Sequence, residues 1–367
     1  MRACFLGPLC VVISNLRTTS PLCSGQHVKS PACLAKTHTS VSEDQADRCD
    51  HDVDSSTLVV ASTFDPASCV MVDALLKLGG WRETNPGGFG NGKAWLRSEA
   101  PSEVALWHVE VPLLELDDPD QRWIETVPRR SPSDVVFLSK HKAASGRPAL
   151  CVHPIGLPDP SSSTQWGGRP GKCPPPSPRL AGCLREIRRA CGEAGLNETF
   201  DVTLEVTHHG PWLQTPAMFV EIGSTEEHWG RRDAANAWAN ALSRMLGLDG
   251  SPGHKSWLSL PLSERLRRTV IVGIGGGHYA PKLGDIASRK GRYVGHMVPS
   301  YALDFAPGGR WRDAVSAVVE STRVAYPGAG AVVAHVDKKS FKSVERAAVL
   351  EHLAEIGVEA QLKASDC

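Results

Sequence analysis

Two stretches in the second half of the chain collect histidines and carboxylates where predicted strands end. Residues 205–227 contain the pair His208 and His209 before Gly210-Pro211, and residues 273–281 carry a glycine run followed by a histidine. A strand end gives a rigid base and the following loop gives reach, so polar groups collected there are suited to catalysis. Imidazoles titrate near neutral pH and also bind zinc, so general base and metal ligand are both open roles.

His208 and His209 are adjacent, which limits how they can share a site. On an extended segment their side chains point to opposite faces, and both can line one pocket only if the backbone turns. Gly210-Pro211 directly follows and supplies a turn. A structural role is the alternative for a single histidine, whereas this pair at a strand end favours a functional one.

The carboxylates of the same stretch have different expected roles. Glu221 interrupts the apolar run Phe219–Ile222, and a carboxylate on a buried strand needs a histidine, a metal or an arginine as partner. Ser224 with Glu227 three residues later is typical of a capping box, which assigns Glu227 to a helix start. Glu226 is left open between catalysis and first-turn stabilisation.

The glycine run Gly275, Gly276, Gly277 precedes His278 and Tyr279. The run lacks the lysine of a Walker motif, and His278 stands where a dinucleotide fingerprint needs its third glycine. A bare backbone lets a bulky substrate approach closely and offers N–H groups to an oxyanion, with His278 and Tyr279 beside it. A flexible turn is the alternative.

Predicted strands alternate with predicted helices along most of the chain. The predicted strands are 57–62, 103–110, 134–139, 149–153, 200–206, 218–222, 269–274 and 331–336, and the predicted helices are 180–194, 229–246, 312–324 and 341–356. This order indicates an α/β fold with helices on both faces of a sheet and sites at the carboxyl ends of strands. The Pro-, Ser- and Gly-rich segment 158–178 is predicted to be an exposed, mobile insertion.

Composition excludes several classes of protein. The chain has 367 residues, 41% hydrophobic and 22% charged, so it can bury a substantial core. With 40 basic and 40 acidic residues it has no net field toward nucleic acid, so RNA binding requires a local patch. Lysines beside strand-end motifs are the candidates for phosphate contact: Lys140, Lys282, Lys338 and Lys339. No apolar run is long enough for a membrane span, and the cysteines lack zinc-ribbon or disulfide spacing.

The N-terminal region differs from the rest in composition. Residues 1–42 contain no Asp or Glu and many Ser and Thr. Residues 1–50 are therefore predicted to be a transit-peptide-like or disordered extension, with a misassigned start as a further alternative. The first reading predicts import into a chloroplast or mitochondrion, and the others predict a cytoplasmic protein.

The motifs together resemble those of a known family, the D-aminoacyl-tRNA deacylases of the archaeal and plant type. The motifs that carry the resemblance are Glu205–Pro211, Phe219–Glu227, Gly273–Pro281 and Asp337–Lys339, together with Phe137–Lys142 and Val152–Pro154. The resemblance covers residues 57–358, apart from the insertion at 158–178. It implies one deacylase domain over these residues, a mixed, mostly parallel sheet and a fold related to peptidyl-tRNA hydrolase.

The resemblance implies hydrolysis of the ester between a D-amino acid and the 3′-terminal ribose of tRNA, including aldehyde-modified D-aminoacyl groups in plants. The implied partner is tRNA carrying a D-amino acid, with no membrane and no stable protein partner. The implied cofactor, at least in the archaeal members, is Zn²⁺, and the candidate ligands among the histidines of this chain are His208, His209 and His278. The residues assigned to catalysis are His208, His209, Glu221, Glu226 and His278. Those assigned to the substrate are His141, His153, Gly275, Gly276, Gly277, Tyr279, Lys140, Lys282, Lys338 and Lys339.

Several alternatives remain open at the level of sequence. A side-chain base, zinc, or the neighbouring 2′-hydroxyl of the ribose could each activate the attack on the ester. A non-catalytic aminoacyl-tRNA-binding protein is a second class. A nucleoside phosphorylase-like enzyme or a zinc-dependent small-molecule hydrolase is a third.

Overall fold

The structure is a computed structural model that describes residues 56–86, 92–98, 103–127, 131–289 and 291–363. The expectation for residues 1–50 lies outside these ranges. Within them the chain forms two β-sheets with helices packed on their faces. The strands of the first sheet are β1 (Thr57–Ser62), β2 (Arg82–Thr84), β3 (Lys93–Arg97), β4 (Val104–Val109), β5 (Asp134–Lys140), β6 (Ala149–His153), β7 (Asp201–Leu204) and β8 (Ala217–Gly223).

The first sheet has the strand order β2-β3-β4-β1-β5-β8-β6-β7. Strands β4, β1, β5 and β8 are parallel, whereas β6 runs antiparallel to β8, and β7 is parallel to β6. The register places Glu221 of β8 between Ser139 of β5 and Cys151 of β6. A carboxylate thus lies at the boundary between the parallel and the reversed strands.

The second sheet is smaller and entirely parallel. Its strands are β9 (Thr269–Ile274), β10 (Tyr293–Val298), β11 (Ala331–Val336) and β12 (Glu359–Gln361), in the order β10-β9-β11-β12. The glycine run follows β9, so it leaves the carboxyl end of a central strand.

Helices cover both sheets because the central strands are apolar on both faces. The helices are α1 (Pro66–Leu76), α2 (Pro119–Thr126), α3 (Leu180–Glu193), α4 (Glu226–Trp229), α5 (Arg232–Leu246), α6 (Leu262–Arg265), α7 (Pro281–Ser288), α8 (Trp311–Ala325) and α9 (Ser343–Glu355). On one face of the first sheet Leu138 and Val220 pack in a core with residues of α1, α3 and α5. On the other face Phe137 and Phe219 stack and join a core containing Trp123 of α2. None of the helices in the described ranges is long and apolar enough to cross a membrane.

The segment after β7 connects the two sheets. Glu205 forms an isolated antiparallel bridge with Tyr279, and the amide of Val206 donates to the His278 carbonyl at 3.0 Å. The amide of Thr207 then donates to the carbonyl of Met297 in β10 at 2.8 Å. The residues that lead into the histidine pair therefore tie the first sheet to the second.

The predicted fold class, mixed α/β with a mostly parallel sheet and helices on both faces, is confirmed. The predicted bounds of strands β1, β6, β9 and β11 agree with the structure. The division into two sheets was not predicted, and helix α7 and strand β10 were missed. Helix α7 begins with Pro281 and contains Gly284, and both residues obscure a helical pattern.

The predicted capping box is wrong. The Ser224 hydroxyl donates to the Arg147 carbonyl instead of capping a helix, and Glu227 lies in the four-residue helix α4. The long helix α5 begins only after Arg231. Its predicted end at Gly247 is confirmed, because this glycine has a left-handed backbone with φ of 72°.

The prediction that segment 158–178 is exposed and mobile is wrong for its second half. Residues 173–177 are buried. The Cys173 carbonyl accepts a hydrogen bond from the Ser321 hydroxyl at 2.9 Å, and the Pro174 carbonyl lies 2.9 Å from His296 Nε2. Proline has no N–H to satisfy, so a proline-rich stretch can be buried when its carbonyls find donors.

The first half of this segment is mostly exposed but packs its backbone against Gly210, which follows the histidine pair. The Gly210 amide donates to the Trp166 carbonyl at 2.9 Å. A Cβ on Gly210 would lie 2.2 Å from the Gly168 nitrogen and 2.6 Å from the Gly167 carbonyl carbon. Gly210 therefore allows two backbone segments to touch beside His209.

We expect Gly210→Ala to lower the free energy of unfolding by about 1–3 kcal/mol, because the new methyl group meets rigid backbone. Urea unfolding followed by circular dichroism measures the change. The control is Gly230→Ala, since a Cβ there meets no atom within 4 Å and the φ of −85° suits any residue. Equal stability of the two variants would contradict this account of the contact.

Candidate active site

A partly buried cluster of imidazoles and carboxylates lies where the two sheets meet. His141 follows β5, His153 ends β6 and Glu221 lies in β8. The segment after β7 and the loop after β9 contribute the remaining members: Glu205, His208, His209 and His278. The residues converge because β5, β8, β6 and β7 are neighbours and the segment after β7 crosses to the second sheet.

Glu205 and Glu221 face the same imidazole. His141 Nδ1 lies 3.2 Å from Glu205 Oε1 and 3.3 Å from Glu221 Oε2, and all three side chains are buried. His153 Nε2 lies 3.6 Å from the other oxygen of Glu221. Two histidines, His141 and His153, are therefore partners of Glu221, as predicted.

The two carboxylates share this environment unequally. Burial, reinforced by the charge of Glu221, raises the pKa of Glu205 to about 7. Burial also opposes the charge of Glu221, but His141 and His153 outweigh it and hold the pKa of Glu221 below its usual range. Near neutral pH Glu221 is thus ionised, and Glu205 is able to gain or lose a proton.

His141 links the carboxylates to Tyr279. Burial alone would lower the pKa of His141, but the carboxylates Glu221 and Glu205 raise it overall. Its second nitrogen, Nε2, lies 3.0 Å from the Tyr279 hydroxyl. A protonated His141 donates from both ring nitrogens, which leaves the hydrogen of the Tyr279 hydroxyl available to another acceptor.

Three imidazoles are oriented by main-chain carbonyls. The Nδ1 atoms of His153, His208 and His209 lie 3.1, 2.7 and 2.6 Å from the carbonyl oxygens of Pro154, Val206 and Gly210. A carbonyl only accepts, so each neutral ring carries its proton on Nδ1 and keeps the lone pair of Nε2. Ligand atoms of the three histidines lie within 4.8 Å of one another.

The backbone turn that the histidine pair requires is present, at His209 itself. His209 has a φ of 40°, in the left-handed region. As a result the His208 and His209 rings both pack against His153, with centroids 4.1 and 4.9 Å from its ring. Burial lowers the pKa of both histidines, to about 4 for His209, so both rings are neutral at physiological pH.

His278 forms the mouth of the cluster. Its side chain is 37% exposed, and Nε2 lies 3.6 Å from Glu205 Oε2. Nδ1 lies 3.4 Å from the hydroxyl of Tyr301. Burial and the neighbouring His141 and His153 lower the pKa of His278, so this ring is neutral near pH 7 and can accept a proton.

The glycine run is a close-packed turn, and the prediction that it presents free amides is wrong for two of its residues. Gly275 donates to the Val298 carbonyl at 2.9 Å, and Gly276 donates to the Ser340 hydroxyl at 2.8 Å. Both have a φ of 92°, which favours glycine. A Cβ on Gly275 would lie 2.7 Å from the Phe341 ring. Gly277 is exposed beside His278.

The four lysines differ in their surroundings. Lys140 is half-buried with Nζ 5.2 Å from the Trp229 ring, and Lys282 pairs with Asp337 at 2.6 Å. Lys338 and Lys339 are exposed on a short 3-10 helix that follows β11. The last two therefore have the most freedom to reach a phosphate.

One member of the cluster, Glu205, was not predicted from the sequence, and one predicted member, Glu226, lies outside the cluster. Glu205 was not assigned a role, although it lies between Leu204 and Val206, which are both buried, just as Glu221 lies in an apolar run. Both Glu205 oxygens are buried without a hydrogen bond of good geometry among the described residues, and so is His153 Nε2. Glu226 is exposed in the first turn of α4, outside the cluster.

The cluster lies within the part of the chain that is similar to known proteins. A family profile described as D-aminoacyl-tRNA deacylase matches residues 129–361. A D-aminoacyl-tRNA deacylase of Arabidopsis thaliana is 40% identical over an alignment of 318 residues that covers 82% of this chain and 96% of the relative. A D-aminoacyl-tRNA deacylase of Aeropyrum pernix is 35% identical over 261 residues, 70% of this chain and 83% of the relative.

A solved structure agrees with the fold. The crystal structure of a conserved protein of unknown function superposes with a TM-score of 0.67 and 27% sequence identity. The match covers 85% of this chain and 96% of that protein. The two-sheet architecture is therefore shared with an experimentally determined relative.

We expect Glu221→Gln to lower the free energy of unfolding by about 3 kcal/mol, because it leaves two buried imidazoles without their anion. The pKa of Glu221 is below its ordinary 4.5, so its stabilisation is present above that value and is lost as the pH falls through the lowered pKa. The pKa values of His141 and His153 are above the ordinary 6.5, so their contribution is lost as the pH rises through the raised values.

The stability gap between wild type and Glu221→Gln is therefore largest between about pH 4.5 and 6.5. Urea unfolding across this range, in a chelator so that no metal contributes, measures the gap. The exposed Glu226→Gln serves as control and should change stability by less than about 0.5 kcal/mol. A gap that stays constant with pH would refute the proposed coupling.

Proposed function

The chain belongs to the D-aminoacyl-tRNA deacylase family, and from this premise we propose that the cluster around Glu205 is its active site. The enzyme hydrolyses the ester between a D-amino acid and tRNA, releasing free tRNA and the D-amino acid. One observation carries the assignment to the cluster. Both oxygens of Glu205 are buried without a hydrogen bond of good geometry among the described residues, and they face His141, His208 and His278. Unsatisfied buried groups of this kind are costly and are retained where they serve catalysis or a ligand.

His278 is the group best placed to accept a proton from the attacking water. Its Nε2 faces Glu205, which favours the tautomer with the proton on Nε2 and leaves the lone pair on Nδ1. Nδ1 becomes the acceptor when the attacking water replaces its long 3.4 Å contact with the Tyr301 hydroxyl. The lowered pKa keeps this ring neutral at working pH. Glu205 holds the ring in place and stabilises the imidazolium after proton transfer.

Tyr279 is suited to stabilise the negative charge that develops on the ester carbonyl oxygen. His141 occupies the phenol oxygen from one side, so the phenol O–H can donate to the substrate. The carboxylates behind His141 favour its protonated form, since together they raise its pKa despite burial. Tyr279 thereby takes the role first expected of the Gly275 and Gly276 amides.

A zinc ion fits the donor set of His153, His208 and His209. Each ring has its Nδ1 at a carbonyl, and His208 and His209 are neutral with the Nε2 lone pair free. His153, whose pKa Glu221 raises despite burial, would release its Nε2 proton on binding the ion, and three imidazoles are a common catalytic zinc set. The buried His153 Nε2 without a hydrogen bond supports this choice. When bound, zinc would act as a Lewis acid that polarises a carbonyl oxygen. His278, the third ligand expected from sequence, instead groups with Glu205 and His208.

The tRNA reaches the cluster past the mouth formed by His278. Lys338 and Lys339 are exposed on the turn whose Ser340 hydroxyl accepts from Gly276, which places two cations beside this mouth. We assign them to phosphates of the acceptor end. Lys282, neutralised by Asp337, is left out of this contact.

Aldehyde-modified D-aminoacyl-tRNA is included in the proposed substrate class. The ester that is cleaved is the same, and the amino group is not a reacting atom. The support is the resemblance of the motifs to plant members of the family. The same assay with D-tyrosyl-tRNA that has been treated with acetaldehyde tests this extension, and hydrolysis of the unmodified form alone would remove it.

Purified enzyme is expected to release tyrosine from D-tyrosyl-tRNA and not from L-tyrosyl-tRNA. A chelator should abolish the release, and added zinc should restore it. His209→Gln should bind less zinc in metal analysis and should not regain full activity, because one of three ligands is lost. The control is His228→Gln, which removes an imidazole that contacts Thr225 outside the cluster.

Three outcomes of this assay would be decisive against parts of the proposal. Release from neither substrate, or equal release from both, contradicts the proposed chiral deacylation. Full activity after complete removal of zinc contradicts a requirement for the metal. Loss of zinc from His228→Gln but not from His209→Gln places the ion elsewhere.

Replacing Lys338 and Lys339 together by Ala should reduce the salt dependence of tRNA binding. Each lost phosphate contact removes roughly 0.7–0.9 from the slope of log K against log salt. Fluorescence anisotropy of labelled tRNA at several salt concentrations measures the slope. The matched control replaces Lys77 and Lys255, which are both exposed, by Ala. If both double variants keep the wild-type slope, these lysines do not contact phosphate.

A further inference from the structure

Tyr301 is an aromatic side chain left largely in water at the mouth of the active site. It is 66% exposed, whereas Trp107, Trp123, Phe137 and Phe219 are fully buried. Its hydroxyl nevertheless lies 3.4 Å from His278 Nδ1. The edge of the ring thus reaches the catalytic histidine while much of the ring remains accessible.

The turn that carries Tyr301 is held rigidly to the glycine run. The backbone amide and the hydroxyl of the preceding Ser300 both donate to the Gly276 carbonyl, at 3.0 and 2.9 Å. Gly276 in turn donates to the Ser340 hydroxyl at 2.8 Å. The aromatic ring therefore has a defined position relative to His278, which is what a binding platform requires.

The substrate carries a flat aromatic base close to the ester that is hydrolysed. The ester that is hydrolysed sits on the 3′-terminal ribose, and the same ribose carries an adenine. When the ester carbonyl is beside His278, the adenine can be no further away than the width of that ribose. The accessible ring of Tyr301 lies within this reach.

We propose that Tyr301 is the platform on which the 3′-terminal adenine of the tRNA stacks. This inference rests on the proposed function of the cluster. Base stacking on aromatic side chains next to cations is the usual way in which proteins hold single-stranded nucleic acid. The exposed Lys338 and Lys339 adjoin Ser340, on the other side of Gly276, so cations and aromatic ring flank the same turn.

The test combines two variants with two substrates. D-tyrosyl-tRNA is prepared with its natural terminal adenosine and with a terminal uridine, and steady-state kcat and KM are measured for each. Losing one stacked base is expected to raise KM by roughly tenfold or more. For wild type we expect a smaller rise on changing adenosine to uridine, because a pyrimidine still stacks but covers less of the ring than a purine. For Tyr301→Ala we expect the full rise already with adenosine, and little further change with uridine.

Tyr301→Phe separates the ring from the hydroxyl. It keeps the aromatic surface and loses the contact with His278, so it should retain the wild-type KM and the wild-type preference for adenosine. Val324→Ala is the control, because Val324 is similarly exposed, at 67%, and lies on α8. Circular dichroism of each variant verifies that the fold is kept.

If Tyr301→Ala and the change from adenosine to uridine each raise KM independently, their effects add in free energy. This result would overturn the proposal, because it would show that the ring and the base do not touch. An equal loss in Tyr301→Phe and Tyr301→Ala would overturn it too, by assigning the effect to the hydroxyl. If wild type hydrolyses neither substrate, the proposed function fails. If wild type is active and Tyr301→Ala has an unchanged KM, only the adenine platform fails.

Discussion

The site depends on the cost of burying two carboxylates side by side. Glu205 and Glu221 are both removed from water and both approach His141, so their charges repel each other in a medium that screens them poorly. The surrounding imidazoles reduce that cost for Glu221. For Glu205, burial and the charge of Glu221 outweigh the imidazoles and raise its pKa. A group that exchanges its proton near neutral pH is the result, directly behind the half-exposed His278.

The position of this pair follows from the topology. Strands β6 and β7 run opposite to β8, so Cys151 and His153 on β6 meet Glu221 and Phe219 of β8 in antiparallel register. The chain then leaves β7 toward the second sheet, and Thr207 is anchored to Met297 there. Catalytic groups from both sheets can converge only because this short crossing brings the histidine pair with it.

Much of the fold could be read from local pattern, because apolar strands and amphipathic helices alternate clearly in the second half of the chain. The strands at Thr57–Ser62 and Thr269–Ile274 were predicted with their correct bounds. The partner of Glu221 was predicted as a class, since burial of a lone carboxylate is costly whatever the fold. Which histidines fill that role is a long-range property, and Glu205 was overlooked although the same argument applied to it.

The errors have a common physical cause. Segment 173–177 looks unable to form a core because it is dominated by proline, yet its carbonyls are bonded by Ser321 of helix α8 and His296 of strand β10. The glycine run looks like a source of free amides, yet neighbouring elements use two of them. In each case the decisive hydrogen bonds come from residues distant in sequence, which local patterns do not encode.

The carbonyl contacts of His153, His208 and His209 couple the orientation of these rings to the main chain. Since main-chain oxygens hold these three rings, the direction in which each offers its lone pair is a property of the backbone path. Side-chain substitutions elsewhere in the protein leave that setting intact as long as the chain keeps its course. The cluster can therefore accept wide variation in its surroundings while presenting the same three nitrogens to a ligand.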